Sequence, residues 1–119
     1  MMRRDVTIPA GKAELNGHLS VPPHPRGIVV FAHGSGSSRS SPRNQRVASV
    51  LQGAGFGTLL FDLLTGEEAV IDARTREHRF DIPMLGERLI AATDWLRRQD
   101  ATRTHDIGYF GASTGAAAA

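Results

Sequence analysis

No cysteine occurs in the 119 residues, and the basic side chains are one Lys among 13 Arg. The first absence excludes disulfides and thiolate metal sites, and it fits a reducing compartment. With a single Tyr besides, almost nothing titrates between neutrality and the arginine range. The formal net charge is only +2, so the isoelectric point near 9.9 reflects that gap and not a dense basic surface. Nucleic-acid binding needs a clustered basic patch, and single-strand binding needs aromatic side chains between the bases. The arginines here have no such interleaving, and no nucleic-acid partner is expected. Long apolar runs are missing too: none approaches the roughly 18 residues of a membrane span. The opening MMRRDVTIPAGK has no apolar stretch after its arginines, so no signal peptide is read there. A cytoplasmic, soluble protein with no membrane partner is expected.

What is present reads as a single domain. Val6 and Ile8 alternate with polar neighbours, Pro9-Ala10-Gly11-Lys12 suits a turn, and Leu15, Leu19 and Val21 suit a returning strand. The prolines at 22, 23 and 25 end it, since proline cannot donate to a ladder. Gly27-Ile28-Val29-Val30-Phe31-Ala32 is continuously apolar, the pattern of a parallel strand covered on both faces. Ser41-Pro42 predicts a helix start. Val47, Val50, Leu51 and Ala54 predict its buried face. A second buried strand follows at 57–62. Residues 63–78 read as an exposed, charged excursion with room for a short helix. Asp81 and Pro83 open a long helix whose buried stripe is Leu85, Leu89, Ala92 and Leu96, with Trp95 alongside. Ile107-Gly108-Tyr109-Phe110 reads as a third buried strand. The alternation of strands and helices predicts an α/β fold, mostly parallel, with an N-terminal antiparallel hairpin.

Two glycine-rich segments carry the chemistry. Gly111-Ala112-Ser113-Thr114-Gly115 is a G-x-S-x-G sequence between an apolar strand and an alanine-rich helix start. That context suits a nucleophile on a strained strand-to-helix turn, where Gly111 and Gly115 avoid clashes. The amides of the following helix start point toward a developing oxyanion. The second segment, His33-Gly34-Ser35-Gly36, lies at the carboxyl end of the first buried strand. Ligands collect at that edge of open parallel sheets. Without side chains at Gly34 and Gly36, backbone amides there can approach an anion.

With Ile28-Val29-Val30-Phe31-Ala32 before His33-Gly34-Ser35-Gly36-Ser37-Ser38, then Phe61-Asp62-Leu63-Leu64-Thr65, then Gly108-Tyr109-Phe110-Gly111-Ala112-Ser113-Thr114-Gly115, the chain resembles the dienelactone-hydrolase-like branch of the α/β-hydrolases. The resemblance covers essentially the whole chain. It implies an α/β-hydrolase sheet, a Ser-acid-His triad and a small-molecule acyl substrate such as a carboxylic ester. It implies Ser113 as nucleophile and the backbone N–H groups of Ser35 and Thr114 as the oxyanion hole. No cofactor and no metal are implied. Dienelactone hydrolases proper use cysteine where this chain has Ser113. Some relatives are fused to a phosphoribosyltransferase domain.

The triad order in this fold is Ser, acid, His. Only six residues follow Ser113, none acidic or His, and the histidines at 18, 24, 33, 78 and 105 all precede it. Residues 1–119 are therefore expected to be the N-terminal segment of one hydrolase domain, truncated after the elbow, with its acid and base elsewhere. His33 is expected to tie its loop to neighbouring backbone, and Asp62 to bond the adjacent loop. The isolated segment is expected to turn over esters poorly and to associate through its exposed sheet edge or with a C-terminal half. An alternative is a non-catalytic anion- or nucleotide-binding module using the His33–Ser38 loop with Arg39, Arg43 and Arg46. Another is a half-domain that needs a partner chain.

Overall fold

The computed structural model describes residues 1–33, 39–76, 78 and 81–111. Five strands form one sheet: β1 (Met2–Ala10), β2 (Ala13–Val21), β3 (Ile28–Ala32), β4 (Gly57–Phe61) and β5 (Ile107–Gly111). Their order is β1-β2-β4-β3-β5. β1 and β2 are an antiparallel hairpin, β2 is antiparallel to β4, and β4, β3 and β5 run parallel. The described helices are α1 (Pro42–Gly53), α2 (Gly66–Thr75) and α3 (Ile82–Arg98). This is an α/β fold with the N-terminal hairpin that the sequence predicts, its sheet mixed, with two parallel and two antiparallel pairings among the described strands.

The hairpin turn is tighter than the four residues Pro9 to Lys12 suggest. Ala10 pairs with Ala13, leaving two loop residues. Gly11 takes a φ of 61°, the glycine-first geometry of a primed hairpin turn, whose twist matches that of the strands. The register then follows, and Asp5 stands opposite His18. Gly17, opposite Phe61, lets β2 approach β4. A Cβ there would stand 2.9 Å from the Phe61 Cβ and 3.1 Å from the Leu60 carbonyl oxygen.

Alternation along the central strands divides the interior into two layers. Ile28, Val30 and Ala32 of β3 join Leu59 and Phe61 of β4 in the larger core, closed by Leu85, Leu89, Ala92, Trp95 and Leu96 of α3. Ile8, Leu15, Leu19 and Val21 of the hairpin complete it. Phe31 and Leu60 face the other way and pack with Ala48 of α1. Burying each such Leu, Ile or Phe contributes about 1.5–3 kcal/mol.

Local signals account for the helix starts. Ser41 caps α1 with proline next, and Asp81 caps α3 by accepting from Met84 N at 3.2 Å. Two expectations are corrected. On α1 the buried positions are Asn44 and Ala48, with Val47 and Leu51 partly buried, while Val50 is 69% exposed. The face is rotated because Ala48 is small enough to bring the helix against Phe31 and Leu60. On β5, Tyr109 is 45% and Phe110 is 36% exposed. The strand is apolar, but it is the last in the sheet order and pairs with β3 alone among the described residues.

Candidate functional site

The carboxyl ends of β3, β4 and β5 share one edge of the sheet, because the three strands are parallel. From β3 the chain crosses to β4 on one side, and from β4 it returns to β5 on the other. Crossovers that diverge in this way leave a crevice at the strand ends, where open α/β sheets bind ligands. His33 follows β3 and Asp62 follows β4. Gly111 ends β5 and pairs in register with Ala32.

His33 is 8% exposed, and its Nε2 accepts the Leu63 backbone N–H at 2.8 Å. An accepting Nε2 fixes the neutral form with the proton on Nδ1. The imidazole thus ties its loop to neighbouring backbone, and its accepting nitrogen is occupied. Asp62 accepts the Arg39 backbone N–H at 2.7 Å on Oδ1, and its Oδ2 pairs with the Arg39 guanidinium. As expected, it bonds the adjacent loop.

Arg39 reaches further. Its Nε donates to His18 Nε2 at 3.2 Å, and His18 Nδ1 stands 2.7 Å from Asp5 Oδ1. The guanidinium is therefore committed to Asp62 and His18. Arg43 and Arg46 lie on exposed positions of the first turns of α1. The structure does not gather the three arginines around one free cationic site; Arg39 serves the end of β4 instead. Gly34, Ser35, Gly36, Ser113, Thr114 and Gly115, expected to carry the chemistry, lie outside the described residues.

Behind this edge stands an ion pair that the sequence reading missed. Arg88, on the otherwise apolar stripe of α3, is buried. It donates to the Leu63 carbonyl at 2.8 Å and forms a two-pronged pair with Glu68, the Nη2–Oε2 arm at 2.8 Å. Glu68 also closes a capping box with Thr65, the N-cap of α2. The Arg88 guanidinium lowers the Glu68 pKa to about 2; partial burial opposes this and the Thr65 amide adds to it. Thr65-x-x-Glu68 is the sequence signature of a capping box, and it marks α2 inside the stretch read as an excursion. An arginine three residues after Leu85 was the other available sign.

No protein-family model matches the chain. Among curated proteins it is 60% identical over 115 residues to proteins from two Mycobacterium tuberculosis strains, CDC 1551 / Oshkosh and ATCC 25618 / H37Rv. They carry the provisional name phosphoribosyl transferase. The match covers 97% of this chain and 25% of theirs. Among solved structures, the dienelactone hydrolase from Anabaena variabilis is 56% identical with a TM-score of 0.96, covering 99% of this chain and 55% of that one. An esterase of Pyrococcus furiosus superposes with a TM-score of 0.78 at 24% identity, covering 99% of this chain and 44% of that one; this match speaks to fold alone. The chain thus spans about a quarter of the curated relatives and about half of the Anabaena enzyme. In fold the chain matches the N-terminal part of a dienelactone hydrolase, about half the length of that enzyme.

Proposed function

We propose that this chain supplies the nucleophile and oxyanion donors of a serine hydrolase acting on carboxylic esters or related acyl bonds of a small molecule. The observation that carries this reading is the parallel pairing of β5 with β3 in the register Ala32 opposite Gly111. Ala32 and Gly111 thereby stand side by side at one sheet edge, and in the sequence the two glycine-rich motifs follow them. The 56% identity to a dienelactone hydrolase over 99% of the chain supports the same class of chemistry.

In this reading Ser113 Oγ attacks the acyl carbon while a histidine from residues beyond this segment takes its proton. The carbonyl oxygen becomes an oxyanion held by the Ser35 and Thr114 amides. The alcohol leaves with the proton that the histidine returns. Water then hydrolyses the acyl-serine and restores the free hydroxyl. His33 is unsuited to be the base, since protonating its Nε2 would set an N–H against the Leu63 amide. Asp62 is unsuited to be the triad acid, since both its oxygens hold Arg39.

The further residues of a complete hydrolase domain would cover β5, whose outer edge and exposed Tyr109 and Phe110 suit strand addition. The provisional name of the curated relatives does not bear on this segment's chemistry, because the match covers only 25% of their length. Arg39's engagement with Asp62 also favours the hydrolase reading over an anion-binding module built on Arg39, Arg43 and Arg46.

A serine-directed fluorophosphonate applied to the complete protein tests the proposal. Labelling is expected on Ser113 and is lost in Ser113→Ala, with ester turnover falling at least a thousandfold, the order seen when a triad member is removed. Labelling that survives the substitution would refute it.

A further inference from the structure

At the far end of the sheet from β5 lies β1, nine residues long, paired with β2 alone among the described residues. Along such a strand the backbone groups turn alternately toward the partner and toward the open side. The two-residue turn makes Ala10 and Ala13 a hydrogen-bonded pair, so Met2, Arg4, Val6, Ile8 and Ala10 turn theirs toward β2. The Asn16 carbonyl agrees with this phase. It accepts the Asp62 amide at 2.8 Å, on the β4 side, and so does not serve Thr7, which stands opposite it on β1. Arg3, Asp5, Thr7 and Pro9 therefore direct their backbone groups outward. Pro9 has no N–H to leave unpaired, and this outer side is where an edge strand accepts proline. Arg3, Asp5 and Thr7 are all exposed.

An open edge invites a second strand, and charge on an edge strand ordinarily repels one. On β1 the charges are of opposite sign and two positions apart, so Arg3 and Asp5 share one face of the hairpin. Such a pair is complementary to a copy of itself running the other way. The Asp5 side chain is 90% exposed. Its Oδ1 is fixed 2.7 Å from His18 Nδ1, and its Oδ2 has no partner among the described residues. Arg3 has no carboxylate partner among them either. A hollow lined by Arg3, Asp5, His18 and Ser20 leaves room beside the carboxylate for a further side chain.

We propose that β1 is a dimerisation edge, pairing antiparallel with β1 of a second copy about a two-fold axis at Arg4. Arg3 of each copy then stands opposite Asp5 of the other. The two residues exchange both backbone bonds, and their side chains form an ion pair. By symmetry each such pair occurs twice. The other registers open to the same outward groups are poorer. An axis at Asp5 sets two carboxylates against each other, and an axis at Arg3 does the same with two guanidinium groups. An axis at Val6 sets Arg3 opposite Pro9, which cannot donate. With the axis at Arg4, the two Arg4 side chains meet on the other face of the sheet. Each is drawn toward Gln99 Oε1 of its own copy, 3.5 Å from its Nη2. Because β5 ends the sheet on the opposite side, residues that cover β5 leave this edge open. The proposal does not depend on the hydrolase reading.

The experiment is sedimentation velocity of the complete protein across micromolar concentrations, with hydrogen exchange as a second readout. Wild type is compared with Arg3→Asp, Asp5→Arg and the double variant Arg3→Asp/Asp5→Arg, each verified as folded by thermal melting. Wild type is expected to associate reversibly. Either single reversal sets like charges opposite each other at both symmetry-related pairs, and should weaken association at least about tenfold. The double variant rebuilds both pairs in exchanged order and should return to within about threefold of wild type. In wild type and the double variant, exchange of the residue 3 and residue 5 amides should slow as concentration rises; in the single variants it should not. Arg3→Asp leaves the Asp5–His18 contact in place and carries the test if Asp5→Arg does not fold. Wild type that shows no association weakened by a single reversal overturns the proposal. A double variant as weak as the single ones overturns it too, since only the opposed Arg3–Asp5 register predicts the rescue.

Discussion

β4 and β5 flank the same strand, run in the same direction and read alike in the sequence as short apolar runs, yet they end differently. β4 is buried at every position, and the two residues after it are gripped by the hairpin, α3, His33 and Arg39. β5 has a partner on one side only among the described residues, and its middle three residues are exposed. Burial belongs to the place of a strand in the sheet, which its composition does not reveal. The end of β4 is fastened to His33 and to Arg39, one on each side of the glycine-rich sequence, while β5 precedes Ser113 in the chain.

Substitutions can break this contrast, beginning with the largest effect. Phe61→Ala in β4 empties the centre of the core, where Phe61 is fully buried. A loss of about 3–5 kcal/mol in stability is expected by denaturant titration. Arg88→Ala comes next. It leaves Glu68 without its cation and the Leu63 carbonyl without its donor. A loss of about 2–4 kcal/mol is expected, below the full figure for a buried pair because Glu68 is partly exposed. A thermal shift no larger than that of an exposed substitution such as Arg103→Ala would contradict it.

Acid probes the same ion pair without mutation. The folded pKa of Glu68 is lowered from 4.5 to about 2. Its contribution is therefore complete above pH 4.5 and fades as pH falls toward 2, because the unfolded chain takes up the proton first. On the order of 2 kcal/mol, after allowance for solvent screening, should be lost over that window. In Glu68→Gln this part of the pH dependence of unfolding should disappear.

The smallest effect is expected on the other strand. Tyr109→Ser gives up a 2.6 Å hydrogen bond between its hydroxyl and Thr93 Oγ1, and some half-exposed ring surface. Stability should change by about 1 kcal/mol or less. Self-association, followed by sedimentation velocity, should fall, since the ring is part of the exposed apolar edge. A loss rivalling that of Phe61→Ala would mean that β5 is part of the core after all.

Much of this was legible residue by residue. Ser41-Pro42 and Asp81 marked their helices because capping is a local interaction between a side chain and amides two or three residues on. The α3 stripe was legible because five apolar residues fall on one helical face. The face of α1 was not, since two overlapping stripes compete there. Val50 belongs to the more apolar one, and close packing of Ala48 against the sheet selected the other. The short helix for which residues 63–78 had room is α2, and Thr65 with Glu68 marks its start. The anchoring role of His33 and the loop-binding role of Asp62 were anticipated, because both stand at strand ends beside a loop whose backbone needs partners.

By itself, the sequence determined the kinds of elements, their ends, and the two glycine-rich turns after apolar strands. Each of these rests on interactions within a few residues or on a simple period. Only the tertiary structure decided that β5 lies beside β3 at the edge. It also joined Asp5, His18, Arg39 and Asp62 in one network, and set Arg88 against Glu68. Arg39 lies 21 and 23 residues from its two partners, and Arg88 lies 20 from Glu68. Contacts at such separations follow from strand order, register and the seating of helices on the sheet, and no local propensity encodes them.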